Sequence, residues 1–159
     1  MNKMNLQDWL REVEKFEDRE FFGPVDVADV ENASREIGLP FPPQYRAFLE
    51  TVGSGSVGSE SLIGLGGPQY LNVVWMTSTL RNKKAQKAFP QFMIPVRADG
   101  YGNYDAIDTT HPTDHGEFAV VEWRHEGSNE EPCEVLASGF FEWLASMLIL
   151  IREAEDSAN

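Results

Sequence analysis

Apolar residues in the first third of the chain recur every three or four positions, as they do along one face of a helix. A first helix is predicted after Asn5, which is placed to cap it. The residues that would face inward from it are Leu6, Trp9, Leu10 and Val13. Another helix is predicted to begin at the Pro42-Pro43 pair and to end at Gly53. Its inward-facing residues would be Tyr45, Phe48, Leu49 and Val52.

A further helix is predicted between these two, from Val27 to Ile37. Asp26 is placed to cap its start, and Gly38 with Pro40 would end it. Its inward-facing residues would be Val27, Val30 and Ile37. The first third of the chain is therefore predicted to consist of three amphipathic helices.

The middle of the chain is less regular. The stretch from Gly53 to Ser59 is predicted to be a loop, because its glycines and serines are too flexible for a helix or a strand interior. A short strand is predicted from Ser61 to Leu65, whereas residues 71–87 have a β-branched start and a helical end. The basic residues of that end are predicted to form a solvated helix face, with a specific anion contact as the alternative: Arg81, Lys83, Lys84 and Lys87.

β-branched and aromatic residues bounded by turn formers dominate the following region. The predicted strands run from Gln91 to Ala98, from Asn103 to Asp108 and from Glu117 to Arg124, with a further short strand at 133–137. A last helix is predicted after Ser138. Its apolar stripe, which should pack on the sheet, is Phe140, Trp143, Leu144, Met147, Leu148 and Ile151. Since no repeat or linker divides the chain, we predict one domain over residues 1–159.

Charge is distributed unevenly along the 159 residues. Residues 1–60 carry 6 Lys/Arg and 12 Asp/Glu, residues 61–98 carry 5 basic and no acidic residues, and residues 99–159 carry 2 basic and 14 acidic residues. The strongly acidic last part would repel nucleic-acid phosphates, so direct DNA or RNA binding is not expected. The same field would attract a basic protein. A simple role in solubility is the alternative.

Neither a secretory signal nor a membrane span is predicted. The N-terminus lacks an apolar core with a cleavage site, and the longest apolar run, from Leu144 to Ile151, is far shorter than the roughly 20 residues that cross a bilayer. The single cysteine, Cys133, excludes an internal disulfide and suits a reducing compartment. It is predicted to be a small, partly buried apolar residue rather than a nucleophile. A cytoplasmic protein is expected.

The stretch MIPVRADGYGNYDAIDTTH places polar residues among glycines and aromatics, which raises the question of a calcium loop. Counting from Asp99, Tyr101 occupies the third position of an EF-hand loop and Tyr104 takes the place of the required glycine. A hairpin turn fits better. The residues expected to adopt positive φ in that turn are Gly100, Gly102 and Asn103.

Other catalytic patterns are equally weak. Four potential metal ligands lie within seven residues, but their loop spacing lacks the convergence that a helix provides: His111, Asp114, His115 and Glu117. There is no G-x-S-x-G elbow, and carboxylates in exposed loops are poorly placed for acid–base work. We therefore predict no catalytic residue, no metal ion and no cofactor, with a small hydrolase or metal protein as the alternative.

Taken in order, four segments resemble the SUKH superfamily, which joins bacterial toxin-immunity proteins to fungal regulators of cell-wall synthesis. They are ENASREIGLPFPPQYRAFLETVGSGSV (Glu31 to Val57), MIPVRADGYGNYDAID (Met93 to Asp108), GEFAVVEW (Gly116 to Trp123) and LASGFFEWLASML (Leu136 to Leu148). Their order and spacing carry the resemblance, which covers about residues 27–148. The chain departs from the family at Gly53-Ser54-Gly55, where relatives often have Asn-Gly-Gly.

The resemblance implies an α+β fold with a mixed, largely antiparallel sheet of about five or six strands and helices packed around it. It also implies binding rather than catalysis, by an immunity protein that neutralises a cognate bacterial toxin such as a nuclease. Nuclease domains tend to be basic because they hold phosphates, so the charge of this chain independently favours such a partner. A non-enzymatic scaffold or regulatory interaction module of the same fold is the alternative.

The predicted contact surface lies on the hairpin and the adjoining strand. Its residues are Asp99, Tyr101, Asn103, Asp105, Glu122 and Trp123. Aromatic residues would anchor the partner at the centre of the interface, and carboxylates would speed its approach. The alternative interpretation places Trp123 and Tyr104 in the core and leaves the acidic residues as a solvated rim.

Overall fold

Helices and short strands alternate in a computed structural model that describes residues 4–84 and 87–158. The helices are α1 (Leu6–Val13), α2 (Val27–Ile37), α3 (Pro43–Thr51), α4 (Val73–Asn82) and α5 (Phe140–Ala158), with a 3-10 turn at Gln69–Leu71. The strands are β1 (Arg19–Phe21), β2 (Gly55–Val57), β3 (Glu60–Leu62), β4 (Met93–Ala98), β5 (Tyr104–Pro112), β6 (Phe118–Trp123) and β7 (Glu134–Ala137). None of the described helices is long and apolar enough to span a membrane.

The strands of the described residues form two antiparallel sheets, in the orders β1-β2-β3 and β4-β5-β6-β7. The N–H of Ile63 donates to the carbonyl of Val96 at 2.9 Å, which links the end of the small sheet to the edge of the large one. The predicted α+β class with largely antiparallel pairing is confirmed. The strands are divided between two sheets, so the larger sheet has four strands rather than five or six.

Both faces of the four-stranded sheet are buried. One face packs on α5 and the N-terminal helices, and the sheet residues on that side are Ile94, Val96, Ile107, Val120 and Ala137. Their neighbours in sequence face a second cluster, which contains Leu80, Phe89, Met93, Ala106, Ala119, Val121 and Trp123. The apolar stripe predicted for the last helix is buried along its whole length, as expected from its spacing.

The ends of α1 and α2 follow local capping rules except at the start of α2. The side chain of Asn5 accepts from the N–H of Asp8 at 2.9 Å, and the carboxylate of Asp8 accepts from the N–H of Asn5 at 3.2 Å, which completes a capping box. Gly38 ends α2 with φ of 80°. Asp26 stands at the N-cap position of α2, but its side chain makes no capping hydrogen bond. The prediction that Val27 faces inward is wrong: Val27 is 59% exposed, and the buried stripe of α2 consists of Val30, Ala33 and Ile37.

The stretch predicted to be a flexible loop contains a strand, so that prediction is wrong. β2 pairs with β1 on one side and β3 on the other. A Cβ on Gly55 would lie 2.0 Å from the carbonyl oxygen of Glu20. Glycine is therefore required here by the close approach of the β1 backbone, not by flexibility. The neighbouring predicted strand is shifted to Glu60–Leu62.

The helix predicted at the basic end of residues 71–87 is also displaced. α4 begins at Val73 because the side chain of Asn72 accepts from the N–H groups of Val74 and Trp75. It ends at Asn82, and residues 85 and 86 lie outside the described residues.

The basic residues near the end of α4 do not form one solvated face. The guanidinium of Arg81 donates to the carbonyls of Ile37 and Gln91 at 2.7 and 2.9 Å. Lys87 is 7% exposed, and its Nζ lies 5.5 Å from the centroid of the Trp123 ring. These two cations are committed to contacts within the protein, whereas Lys83 and Lys84 are exposed.

Candidate partner-binding surface and cleft

The hairpin between β4 and β5 is a turn organised by Asp99. Its Oδ1 accepts from the N–H groups of Tyr101 at 2.7 Å and Asn103 at 3.1 Å, and its Oδ2 accepts from the Asn103 side chain at 2.9 Å. Partial burial opposes ionisation of this carboxyl, but these hydrogen bonds hold the pKa of Asp99 below its ordinary value. The charge of Asp99 therefore serves the turn itself.

The predicted turn is present, although one detail differs. Gly100 and Gly102 adopt positive φ, of 88° and 96°, but Asn103 does not. Instead, the Oδ1 of Asn103 accepts from the N–H of His125 at 3.1 Å. Asn103 thereby fastens the hairpin to the loop at 124–133 that follows β6.

Tyr101 is the exposed aromatic residue of the hairpin. Its side chain is 83% exposed at the tip of the turn. It also borders a pocket of about 310 Å³ to which Lys83, Lys87 and His125 contribute. The surroundings of Tyr101 are therefore of mixed charge rather than uniformly acidic.

Two of the predicted contact residues are buried. Trp123 is 3% exposed, and its ring centroid lies 5.1 Å from that of Phe89 in the second core cluster. Asp105 is 5% exposed. Trp123 therefore has the core position of the alternative interpretation, and neither residue offers a partner a direct contact.

Asp105 is held by two donors inside the protein. Its Oδ2 accepts from Trp143 Nε1 at 3.0 Å and from the Arg97 guanidinium at 3.3 Å, and Arg97 also contacts Glu60 at 2.7 Å. Burial raises the pKa of Asp105, although the donors from Trp143 and Arg97 oppose this and the nearby Glu122 adds to it. Asp105 joins α5 to the sheet.

The register of the large sheet creates a row of carboxylates. Asp105 lies opposite Glu122, which in turn lies opposite Glu134 on the edge strand β7. Glu122 is half-buried and accepts from Arg124 at 2.9 Å, whereas Glu134 is exposed. Like charges placed directly opposite on neighbouring strands repel one another. We call Asp105, Glu122 and Glu134 the carboxylate row.

Three further carboxylates, all exposed, extend the negative surface beyond the row. They lie in the loop between β6 and β7 and comprise Glu126, Glu130 and Glu131. The predicted contact surface included Glu122 but not Glu134. The sequence of β7 gives no hint that Glu134 faces another glutamate, because that depends on strand register.

A separate cleft of about 580 Å³ lies where the first turns of α3 and α5 meet the β5–β6 turn. Glu117 Oε2 accepts from the N–H of Gln44 at 3.1 Å, at the start of α3. The side-chain oxygen of Gln44 accepts from the N–H of Phe141 at 2.8 Å, at the start of α5. Ser138, predicted to cap α5, instead donates to the carboxylate of Glu142.

Glu117 is the buried acid of this cleft. It is 5% exposed, and its Oε1 has no hydrogen-bond partner among the described residues. Burial raises the pKa of Glu117, and the bond from Gln44 only partly opposes it. A raised pKa in the folded state means that ionising Glu117 costs stability as pH rises above the ordinary value of 4.5. His115 borders the same cleft with an unusual φ of 57°.

The remaining candidates for chemistry are the potential metal ligands and Cys133. Within residues 4–84 and 87–158, no three His, Cys, Asp or Glu side chains converge as a metal site would require. Cys133 is half-buried and packs on the second core cluster. Burial raises the pKa of its thiol, and nearby Lys87 only partly opposes this. Cys133 is therefore a partly buried packing residue, as predicted, and its raised pKa disfavours the thiolate that a nucleophile needs.

Comparison with known proteins finds a similar solved structure and a matching family model. A crystal structure of a protein from Pseudomonas syringae pv. tomato has a similar fold, with a TM-score of 0.59 and 16% sequence identity, over 76% of this chain and 84% of that chain. No curated protein sequence matches. The family model SUKH_5, described as SMI1-KNR4 cell-wall, matches residues 5–149. Because that match spans nearly the whole chain, the protein belongs to the SUKH_5 family, which confirms the resemblance found in the sequence.

Proposed function

We propose that the protein is an immunity protein that binds and neutralises a cognate bacterial toxin in the cytoplasm of the producing cell. It would act by protein–protein contact and without catalysis. The SUKH superfamily includes toxin-immunity proteins, so membership of the SUKH_5 family supports this class of function. The chemistry of the partner follows from charge: a basic domain, such as that of a nuclease.

The carboxylate row is the observation that carries this proposal. Glu122 and Glu134 face each other across β6 and β7, although the repulsion of two like charges in register weakens the sheet. Arg124 offsets part of that repulsion at Glu122, and a basic side chain docked over Glu134 would offset the rest. Arg97 already compensates the inner end of the row at Asp105, whereas the outer end at Glu134 is open to solvent.

The members of the predicted contact set that reach the surface retain their proposed role. Glu122 contributes charge, and Tyr101 supplies a large exposed aromatic surface of the kind that anchors interfaces. Asp99 and Asn103 would act indirectly, because their hydrogen bonds hold the turn that presents Tyr101. For Asp105 and Trp123 we propose a supporting role beneath the surface.

The proposal is tested by titrating purified protein against the toxin domain that a neighbouring gene encodes. We expect toxin activity to disappear at a one-to-one molar ratio, and cells that express the toxin to survive when this chain is co-expressed. Residual activity at large excess of this chain, together with continued toxicity, would contradict the proposal. If the gene has no toxin neighbour and the chain binds another protein, the scaffold interpretation is favoured instead.

A further inference from the structure

We infer that the cleft between α3, α5 and the β5–β6 turn binds an alkylammonium or guanidinium group, with Glu117 as its counter-charge. The inference concerns a different part of the surface from the carboxylate row. It holds whether or not the partner of the protein is a toxin.

Glu117 lines the cleft, and its buried, unsatisfied carboxylate oxygen identifies the type of ligand. Glu117 is 95% buried as a residue, and its Oε1 accepts no hydrogen bond from any described residue. A buried carboxylate oxygen without a donor is costly to the folded state. A ligand that donates a hydrogen bond and carries a positive charge would satisfy this oxygen and also neutralise the charge of the buried carboxylate.

An anion is not expected in the cleft, although two helices begin there. Helix starts attract anions through free N–H groups. Here the N–H of Gln44 already donates to Glu117, and the N–H of Phe141 already donates to Gln44. The cleft's own side chains therefore already accept from one N–H at each helix start, whereas Oε1 of Glu117 has no donor among the described residues.

The rest of the lining fits a cation on an aliphatic stem. Asp114 and Glu142 add negative charge, and no Lys or Arg is among the described lining residues. The apolar part of the wall consists of Met4, Pro43, Phe141 and Ala145. A volume of about 580 Å³ is ample for a lysine-sized or arginine-sized side chain. Long cationic side chains bury their methylene groups against such walls and keep the charged head near a carboxylate.

The test is a titration of the full chain with n-butylammonium and with agmatine, followed by amide shifts in two-dimensional NMR spectra. We expect saturable shifts at the amides of Gln44, Glu117 and Phe141. The neutral isostere n-butanol should bind at least about tenfold more weakly, because it cannot pair with the carboxylate. Shifts of equal size with n-butanol, or no saturable shifts in the cleft, would overturn the inference.

Two variants and a matched control locate the site. Glu117→Gln keeps an oxygen to accept from Gln44 but removes the charge, and it should weaken binding by about tenfold or more. Ala145→Leu leaves the capping bonds untouched and narrows the apolar wall, so it should also weaken binding. Glu153→Gln removes the same charge from an exposed position on α5 and should bind like the unmodified protein. Unchanged binding in both cleft variants would refute the assignment.

The source of the cation is distinguished by a third probe. Nα-acetyl-lysine N-methylamide presents the same ammonium group on a peptide backbone. If it binds at least as well as n-butylammonium, the cleft accepts lysine side chains of a protein. If the free amine binds and the capped lysine does not, the ligand is a small molecule. A failure of the toxin titration would leave these results unaffected, so the two proposals are tested separately.

Discussion

Replacing Gly64 with alanine is expected to lower the free energy of unfolding by more than about 4 kcal/mol, or to prevent folding. The new Cβ would lie 1.8 Å from the carbonyl oxygen of Gly53. The clash is with backbone, so no side-chain rotation can relieve it. Gly64 is also held on both sides, since its N–H donates to Leu71 and its carbonyl accepts from Val73, each at 2.8 Å. Urea unfolding followed by circular dichroism measures the loss.

Gly100→Ala provides the control for this substitution. Gly100 has φ of 88°, but a Cβ there would meet no atom within 4 Å. Its loss should be limited to the strain of left-handed backbone, about 1–2 kcal/mol. If the two variants lose equal stability, the close approach of the Gly53 and Gly64 backbones is not present in solution.

Replacing Trp143 with alanine is expected to lower the free energy of unfolding by about 3–5 kcal/mol. Trp143 is 1% exposed and packs on Phe140, with ring centroids 5.4 Å apart. Its Nε1 also donates to Asp105, so the substitution leaves a cavity and removes a donor from a buried carboxylate. Urea denaturation with tryptophan-independent detection, such as far-ultraviolet circular dichroism, gives the change.

Trp75→Ala is the matched comparison, because it removes the same side chain from α4 at a position that is 40% exposed. We expect its loss to stay below about 1 kcal/mol. Equal losses from the two substitutions would mean that α5 is not packed on the sheet through Trp143.

Helices were the part of this fold that sequence reasoning identified most fully. The first and last residues of a helix depend on residues nearby in the sequence, as the reciprocal capping bonds between Asn5 and Asp8 illustrate. The same logic would have located α4, because Asn72 is a good capping residue directly before Val73. Its start was placed too late in the chain because the β-branched residues after Asn72 favour a strand when considered alone.

The strands were harder because their environment is set by distant segments. Both faces of the large sheet are covered, so alternation does not separate inner from outer residues. Trp123 and Asp105 were assigned to the surface for that reason. β2 was missed because Gly55 reflects the approach of β1, a contact between residues more than thirty positions apart.

The turn, the carboxylate row and the cleft differ in how far apart in sequence their interacting residues lie. The turn around Asp99 could be inferred because its hydrogen bonds join residues at most four positions apart. The carboxylate row depends on register across three strands, and the cleft depends on a bond between Glu117 and Gln44, 73 positions away. No spacing within the sequence reports such contacts.

The most direct test of the central claim measures how quickly this chain associates with the basic toxin domain that we propose as its partner. The double substitution Glu122→Gln and Glu134→Gln removes two charges from the row, and Glu153→Gln with Glu155→Gln removes two from the exposed end of α5. We expect the row variant to slow association several-fold at low salt, with the difference fading as salt rises, and the control to change little. Equal rates for both double variants at every salt concentration would contradict recognition through this acidic surface.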